Sequence, residues 1–313
     1  MNKTIDQLED GFRGEITVLL LQVNRGVTAK GAPYLSFQLQ DKTGNMDAKY
    51  WNVSEETLYA YHAGMLVHVR GDVLCHQKQL QFRISSMEEV KEEMDIWDFV
   101  KCGPIPKEEL KQEVDSYLDQ ITNEKIALIT NAIIEEHEKD FYLYPAAMKN
   151  HHDFVGGLAT HVVGMLHIAD AVCKQYDLLN KDLMFAGVIL HDIGKLVELS
   201  GPVVTDYTTE GKLLGHISIM QSKVEQKAIE LGIEGEEVIL LRHMILSHHG
   251  KYEFGSPVLP MLPEAEMLYL IDNMDARMQS LSKAMHGVAP GEFSARIFAM
   301  ENRSFYKHTL ENE

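Results

Sequence analysis

Near Glu88 the spacing of apolar residues along this 313-residue chain changes from alternate positions to every third or fourth. That change excludes one uniform architecture, because side chains repeat every two residues in a strand and every 3.6 in a helix. A length about twice that of a typical domain leaves room for both kinds of core. Before the change, residues Gly14 to Val23 are β-branched and leucine-rich, and Pro33 to Leu39 alternates as Tyr34, Leu35, Ser36, Phe37, Gln38, Leu39. Asp41-Lys42-Thr43-Gly44-Asn45 reads as a hairpin turn whose glycine and asparagine tolerate positive φ, with a strand from Met46 to Trp51 behind it. Ser54 is placed to cap a short helix to about Tyr61, and Met65 to Leu74 and Gln79 to Ser85 read as two more strands.

Five strands with a helix after the third is the order of the oligonucleotide-binding barrel, the OB-fold. Beyond it, Cys102-Gly103-Pro104-Ile105-Pro106 breaks the pattern, and Lys107 onward is helical. Further helices are expected at Glu124 to His137, Gly157 to Tyr176, Lys181 to Leu190, Lys212 to Leu231, Glu236 to Ser247 and Pro263 to Lys283. The expected organisation is a multidomain α+β chain: an OB-fold nucleic-acid-binding domain over 1–90, a linker and leading helices over 91–125, and an all-α bundle with a C-terminal extension over 126–313.

With 29 basic and 47 acidic residues the formal charge is −18, which opposes indiscriminate attraction to polyanions. The charge is unevenly spread. Phe12 to Met87 carries eight basic and six acidic residues, so the acidity belongs to the remainder. The longest apolar stretches, Ile16 to Val23 and Val155 to Ala169, are too short to span a bilayer. Acids near the amino terminus where a signal peptide needs an apolar segment, together with three scattered cysteines (Cys75, Cys102, Cys173), point to a reducing cytoplasm.

Nine of the fifteen histidines fall between residues 151 and 249, a clustering that asks for a chemical cause. The sharpest element is Phe185 to Lys195, an apolar helical run that ends in His191-Asp192-Ile193-Gly194-Lys195. Burying an imidazole and a carboxylate side by side is costly unless a cation meets them, and both are ordinary ligands of divalent metals. His161 lies on another apolar helix, Asp272 ends the run Leu268-Tyr269-Leu270-Ile271, and Asp275 shares its helix face as a rival. The other reading of Asp275 is a solvated acid or a partner of Arg277. His216 follows Gly215 within a helix, and Ser247-His248-His249-Gly250 ends one, where histidines also stabilise a helix dipole.

The order H…HD…D resembles the HD superfamily of metal-dependent phosphohydrolases, and the fuller order H…HD…H…HH…D resembles its two-metal subclasses. That resemblance implies a helical HD-domain bundle in which His161, His191, Asp192 and Asp272 hold one ion. It also implies that His216, His248 and His249 hold a second, with Asp192 between them. The Gly250-Lys251-Tyr252-Glu253 that follows lacks the GYP element of the cyclic-dinucleotide enzymes, so their substrate is not implied. Paired cations acidify water and neutralise phosphate charge, so hydrolysis of a phosphoester needs no protein nucleophile. Lys195 can place an ammonium beside the phosphoryl group as a catalytic residue with Asp192; its plainer reading is a helix-capping lysine. Imidazole and carboxylate ligands suit manganese, iron, cobalt or zinc. His167 and His243 read as packed or surface residues, and no GxxxxGK[ST], GxGxxG, HExxH, GxSxG or CxxC motif is present.

In the barrel, alternation turns Tyr34 away from the core, beside Lys49 and Trp51 on the next strand. These three, with Lys42, Arg70 and Phe82, are the nucleic-acid-binding candidates, against the plainer reading that barrel aromatics are core. The combination of Asp41-Lys42-Thr43-Gly44, His151-His152, Gly156-Gly157-Leu158, His191-Asp192-Ile193-Gly194-Lys195, His248-His249-Gly250, Asp272-Asn273-Met274-Asp275 and Glu301-Asn302-Arg303-Ser304-Phe305-Tyr306-Lys307 resembles the bacterial YhaM family of 3′-to-5′ exoribonucleases over essentially the full length. The resemblance implies degradation of single-stranded RNA, with some action on single-stranded DNA, to nucleoside 5′-monophosphates with manganese favoured. It makes His151, His152, Arg296 and Arg303 candidates for phosphate contact. A homo-oligomer is compatible with the sequence; a membrane partner is not expected. Two other readings stand beside this one: a phosphohydrolase of nucleotides or cyclic phosphates, and a DNA-binding factor with a degenerate site.

Overall fold

The computed structural model describes residues 3–76, 79–92, 94, 96–100, 103, 105–146, 154–202 and 205–310. Its chain divides into two compact units, Met1–Pro104 with Gly201–Thr205, and Ile105–Ser200 with Asp206–Glu313. Among the described residues no helix is long and apolar enough to cross a membrane.

The first unit is a closed barrel of β1 (Arg13–Val27), β2 (Pro33–Asp41), β3 (Gly44–Trp51), β4 (Leu66–His76) and β5 (Gln79–Glu89), in the order β1-β2-β3-β5-β4. Helix α1 (Glu55–Ala60) joins β3 to β4, and Ser54 caps it by accepting from Thr57 N. This is the OB-fold order expected from the strand count. Closure rests on β1, which pairs with β4 through Arg13–Leu19 and with β2 through its second half. A register shift between Leu20 and Gln22 lets one strand serve both partners. Leu35, Phe37 and Leu39 point inward with Ala48 and Val73, so the period-two alternation of β2 locates the core. Phe82 is also fully buried there, which corrects its assignment as a strand-binding residue: its ring has no surface to offer a base.

The β2–β3 turn differs from expectation in its mechanism. Neither Gly44 nor Asn45 takes positive φ. Instead Asp41 Oδ1 accepts from Thr43 N at 2.8 Å and Gly44 N at 3.2 Å, while Oδ2 accepts from Ile5 N at 2.6 Å. A buried carboxylate thus organises the loop.

The second unit contains α2 (Lys107–Leu118), α3 (Glu124–Phe141), α4 (Gly157–Gln175), α5 (Lys181–Leu190), α6 (Lys195–Glu198), α7 (Thr209–Glu230), α8 (Glu236–Ser247) and α9 (Pro263–Met285). Every residue of α5 from Leu183 to Leu190 is buried. A helix apolar on all sides belongs at the centre, and α5 packs against α2, α3, α4, α8 and α9. Leu110, Val114 and Tyr117 of α2 join the same core. The expected continuous helix after Lys212 is broken at Gly215, which takes φ 70° and ψ 152°. A side chain disfavours that conformation, so the glycine redirects the chain just before His216.

Phe82→Ala should remove about 3–5 kcal/mol from the barrel, read as an earlier urea transition of the intact chain.

Candidate metal centre

Five separate segments bring the histidines and aspartates of the second unit together. His161 comes from the second turn of α4, and His191 and Asp192 follow α5 directly. His216 stands after the Gly215 break, and His248 and His249 follow α8. Asp272 and Asp275 lie three residues apart on one face of α9. Glycines open the space these approaches need. A Cβ on Gly194 would meet the His216 carbonyl oxygen at 2.2 Å, one on Gly250 would meet the Tyr269 ring at 2.3 Å, and one on Gly164 would reach Asp275 Oδ1 at 3.2 Å.

Each imidazole is held by its Nδ1. The carbonyl oxygens of Val188, Ile245 and Phe254 accept from Nδ1 of His191, His248 and His249 at 2.8, 2.7 and 2.8 Å. Asp275 Oδ2 accepts from His161 Nδ1 at 2.7 Å, and Glu198 Oε2 from His216 Nδ1 at 3.1 Å. A carbonyl or carboxylate oxygen only accepts, so the proton is on Nδ1 and the Nε2 lone pair is left for the pocket.

The Nε2 atoms of His191, His216 and His248, and Oδ1 of Asp192, are buried without a hydrogen bond among the described residues. Natural proteins rarely leave such atoms unsatisfied. The candidate ligand atoms form two groups, His161–His191–Asp192 and His216–His248–His249, within each of which all lie inside 4.8 Å of one another. Asp192 faces both. Its Oδ2 is 3.3 Å from His191 Nε2 and 4.0 Å from His161 Nε2, whereas Oδ1 is 3.6 Å from His216 Nε2 and 3.8 Å from His248 Nε2. Asp272 Oδ1 adds a carboxylate 3.3 Å from His161 Nε2. This donor set, neutral imidazoles and ionised carboxylates with unsatisfied lone pairs, fits divalent metal ions.

Electrostatics keep the set ready to bind. Burial works against the Asp192 carboxylate, but the Lys195 ammonium, 2.6 Å from Oδ2, and His191 hold its pKa well below the usual range. Lys195 is raised in turn, because the attraction of Asp192 outweighs its own burial. Burial pushes His248 down, helped by His191, and pushes His249 down, helped by His216. His161 is the exception: burial lowers it, yet Asp272 and Asp275 more than offset this and bring the ring to about 9, so its Nε2 must give up a proton toward Asp272 before it can serve as a neutral donor. Burial raises Glu198, but its hydrogen bond to His216 prevails and lowers it.

Of the expected residues, His161, His191, Asp192, Lys195, His216, His248, His249 and Asp272 therefore meet in one pocket. Asp275 is buried behind His161, while Arg277 is half-exposed and lies 3.7 Å from Glu301. Glu198 escaped the sequence reading, although its place one turn beyond Lys195 was the available signal. Arg296 is exposed on the C-terminal segment, where Ile297 and Arg303 form a β-bridge. Arg303 gives its guanidinium to Glu301 at 2.6 Å and the Met300 carbonyl at 3.1 Å. His151 and His152 lie outside the described residues, as does Cys102. His167 is exposed beside Glu113, and His243 Nε2 accepts from Met261 N.

On the barrel, Tyr34 and Trp51 are register partners with ring centroids 4.8 Å apart, and Lys49 Nζ lies 5.1 Å from the Tyr34 ring. Trp51 is 42% exposed, enough for another ring to stack on it. Lys42 is exposed at the β2–β3 turn, and Arg70 is exposed on β4.

Glu198→Ala and Asp275→Ala should each weaken divalent-metal affinity about 10- to 100-fold by freeing the imidazole they orient. Titration calorimetry of the full chain should show the Glu198 variant losing the heat of one binding event and the Asp275 variant that of the other.

Residues 158–277 match the family model for the HD domain. The barrel is similar to the second OB-fold domain of replication protein A from Methanococcus maripaludis, at 20% identity over 30% of this chain and 100% of that one, with a TM-score of 0.25. It is similar to the protein priB from Ralstonia solanacearum at 16% identity, over 25% of this chain and 98% of that one, with a TM-score of 0.21. For the single-stranded DNA binding protein from Thermus aquaticus the figures are 12% identity, 27% and 43% coverage, and a TM-score of 0.24. The chain therefore carries a closed five-stranded OB-type barrel followed by a helical region that contains an HD domain.

Proposed function

We propose that this protein is a metal-dependent 3′-to-5′ exoribonuclease of the cytoplasm. It shortens single-stranded RNA, with some action on single-stranded DNA, and releases nucleoside 5′-monophosphates. The observation that carries this reading is the position of Asp192, one oxygen toward His161 and His191 and the other toward His216 and His248. A carboxylate so placed is suited to hold two ions at once. His161, His191, Asp192 and Asp272 would hold the first, and His216, His248 and His249 with Asp192 the second. Manganese is preferred by the resemblance to the YhaM family, with iron, cobalt or zinc as the other ions this ligand set suits.

Such ions supply an acidified water and neutralise charge on the phosphoryl oxygens. The protein's own part is orientation and charge. Asp275 and Glu198 keep Nδ1 of His161 and His216 protonated and their Nε2 directed inward. Lys195 keeps a fixed ammonium in the pocket, where it favours the more negative transition state of phosphoryl transfer. The barrel supplies affinity for the strand: Tyr34 and Trp51 present stacking surface, and Lys49, Lys42 and Arg70 offer cations to the backbone.

The full chain with manganese should shorten a 5′-labelled single-stranded RNA stepwise from its 3′ end, leave a 3′-blocked RNA intact, and leave free nucleotides unhydrolysed. Hydrolysis of nucleotides or cyclic phosphates without attack on the RNA would overturn the reading. Asp192→Ala should cut turnover by about 10³-fold or more while oligonucleotide binding, measured by fluorescence anisotropy, persists.

A further inference from the structure

The barrel carries a second cationic feature, away from its aromatic pair. On β1, β4 and β5, Arg13, Arg70 and Arg83 line one depression together with Asp72, Ser85, Gly14 and Gly71. Arg83 is paired with Asp72, its Nη2 2.8 Å from Oδ2. Arg13 and Arg70 are exposed and form no ion pair among the described residues. Glu15 is the register partner of Arg70 across β1 and β4, yet makes no ion pair with it there. Asp72 is one carboxylate among three guanidiniums, so the hollow keeps an excess of positive charge, and planar forked donors suit phosphate oxygens.

The register ties this hollow to the aromatic pair. Arg13 pairs with Asp72, Asp72 with Arg83, Arg83 with Lys49, and Lys49 with Ser36. Paired residues share a face, so these side chains form one outward row across all five strands. Tyr34 and Trp51 stand two residues along β2 and β3 from Ser36 and Lys49. Neighbouring strands lie about 4.8 Å apart, so β3 to β1 by way of β5 and β4 spans about 14 Å.

We propose that Arg13, Arg70 and Arg83 form a phosphodiester-binding pocket that continues the Tyr34–Trp51 platform, so that one single strand stacks its bases at the aromatic pair and lays its backbone across β5, β4 and β1. This rests on the nucleic-acid-binding role given to the barrel above. Asp72 fixes the Arg83 fork, and Glu15 tempers the field at Arg70.

The test is the salt dependence of oligonucleotide binding by the full chain in EDTA, where no turnover intervenes. The double variant Arg13→Gln/Arg70→Gln should bind more weakly and lower the slope of log K against log salt by about 1.4, two contacts at about 0.7 each on a single strand. Trp51→Ala should weaken binding with the slope unchanged, and Glu15→Gln should tighten it about twofold. Neither arginine has an ion pair to lose among the described residues, so melting of the double variant should match the parent; if it does not, the single Arg13→Gln variant should still lower the slope by about 0.7. An unchanged slope in a chain that still binds and shortens RNA overturns the pocket alone. Absence of oligonucleotide binding by the parent chain overturns the barrel's role and the pocket together.

Discussion

The second unit is organised around a carboxylate taken out of water and surrounded by imidazoles. Asp192 is 3% exposed, and an isolated ion at that depth would not survive as one. Lys195 answers part of its charge, and the remaining oxygen confronts nitrogens whose lone pairs are equally unsatisfied. A cation is the group that satisfies both at once. The helices serve this meeting: α5 is buried on every side so that its end reaches the interior, and α4, α7, α8 and α9 bring the other candidate ligands to it. Gly194 and Gly250 stand where a side chain would hold the segments apart.

In the proposed function the two units divide the electrostatic work. An acidic chain gains little from general attraction to an acidic polymer, so attraction has to be local. The helical unit concentrates it in the metal pocket, where low dielectric magnifies it. The barrel displays it on a surface, where ionic strength governs it and release is easy.

Periodicity made much of this legible. The alternation in β2 placed Leu35, Phe37 and Leu39 inside and Tyr34 outside, and the ends of apolar helices pointed to His191, Asp192 and Asp272, because a charge at such a position has few other reasons to exist. What escaped depended on contacts between distant segments. Phe82 has the same local alternation as a surface aromatic, and only barrel closure shows it to be core. Gly215 sits in a helical pattern that carries no mark of the kink it makes. Glu198 is an acid of ordinary spacing, and Asp275, which spacing offers as a rival to Asp272, takes its role from the imidazole folded against it.

The five rings are not anchored alike. His191, His248 and His249 lean on main-chain carbonyls, which persist whatever side chain a neighbouring codon specifies. His161 and His216 lean on carboxylates that a single base change can delete. Genetic drift would therefore erode the centre unevenly, from its carboxylate-braced edges inward, so a decaying descendant would keep the His191–His248 heart of the site after its flanks had slackened.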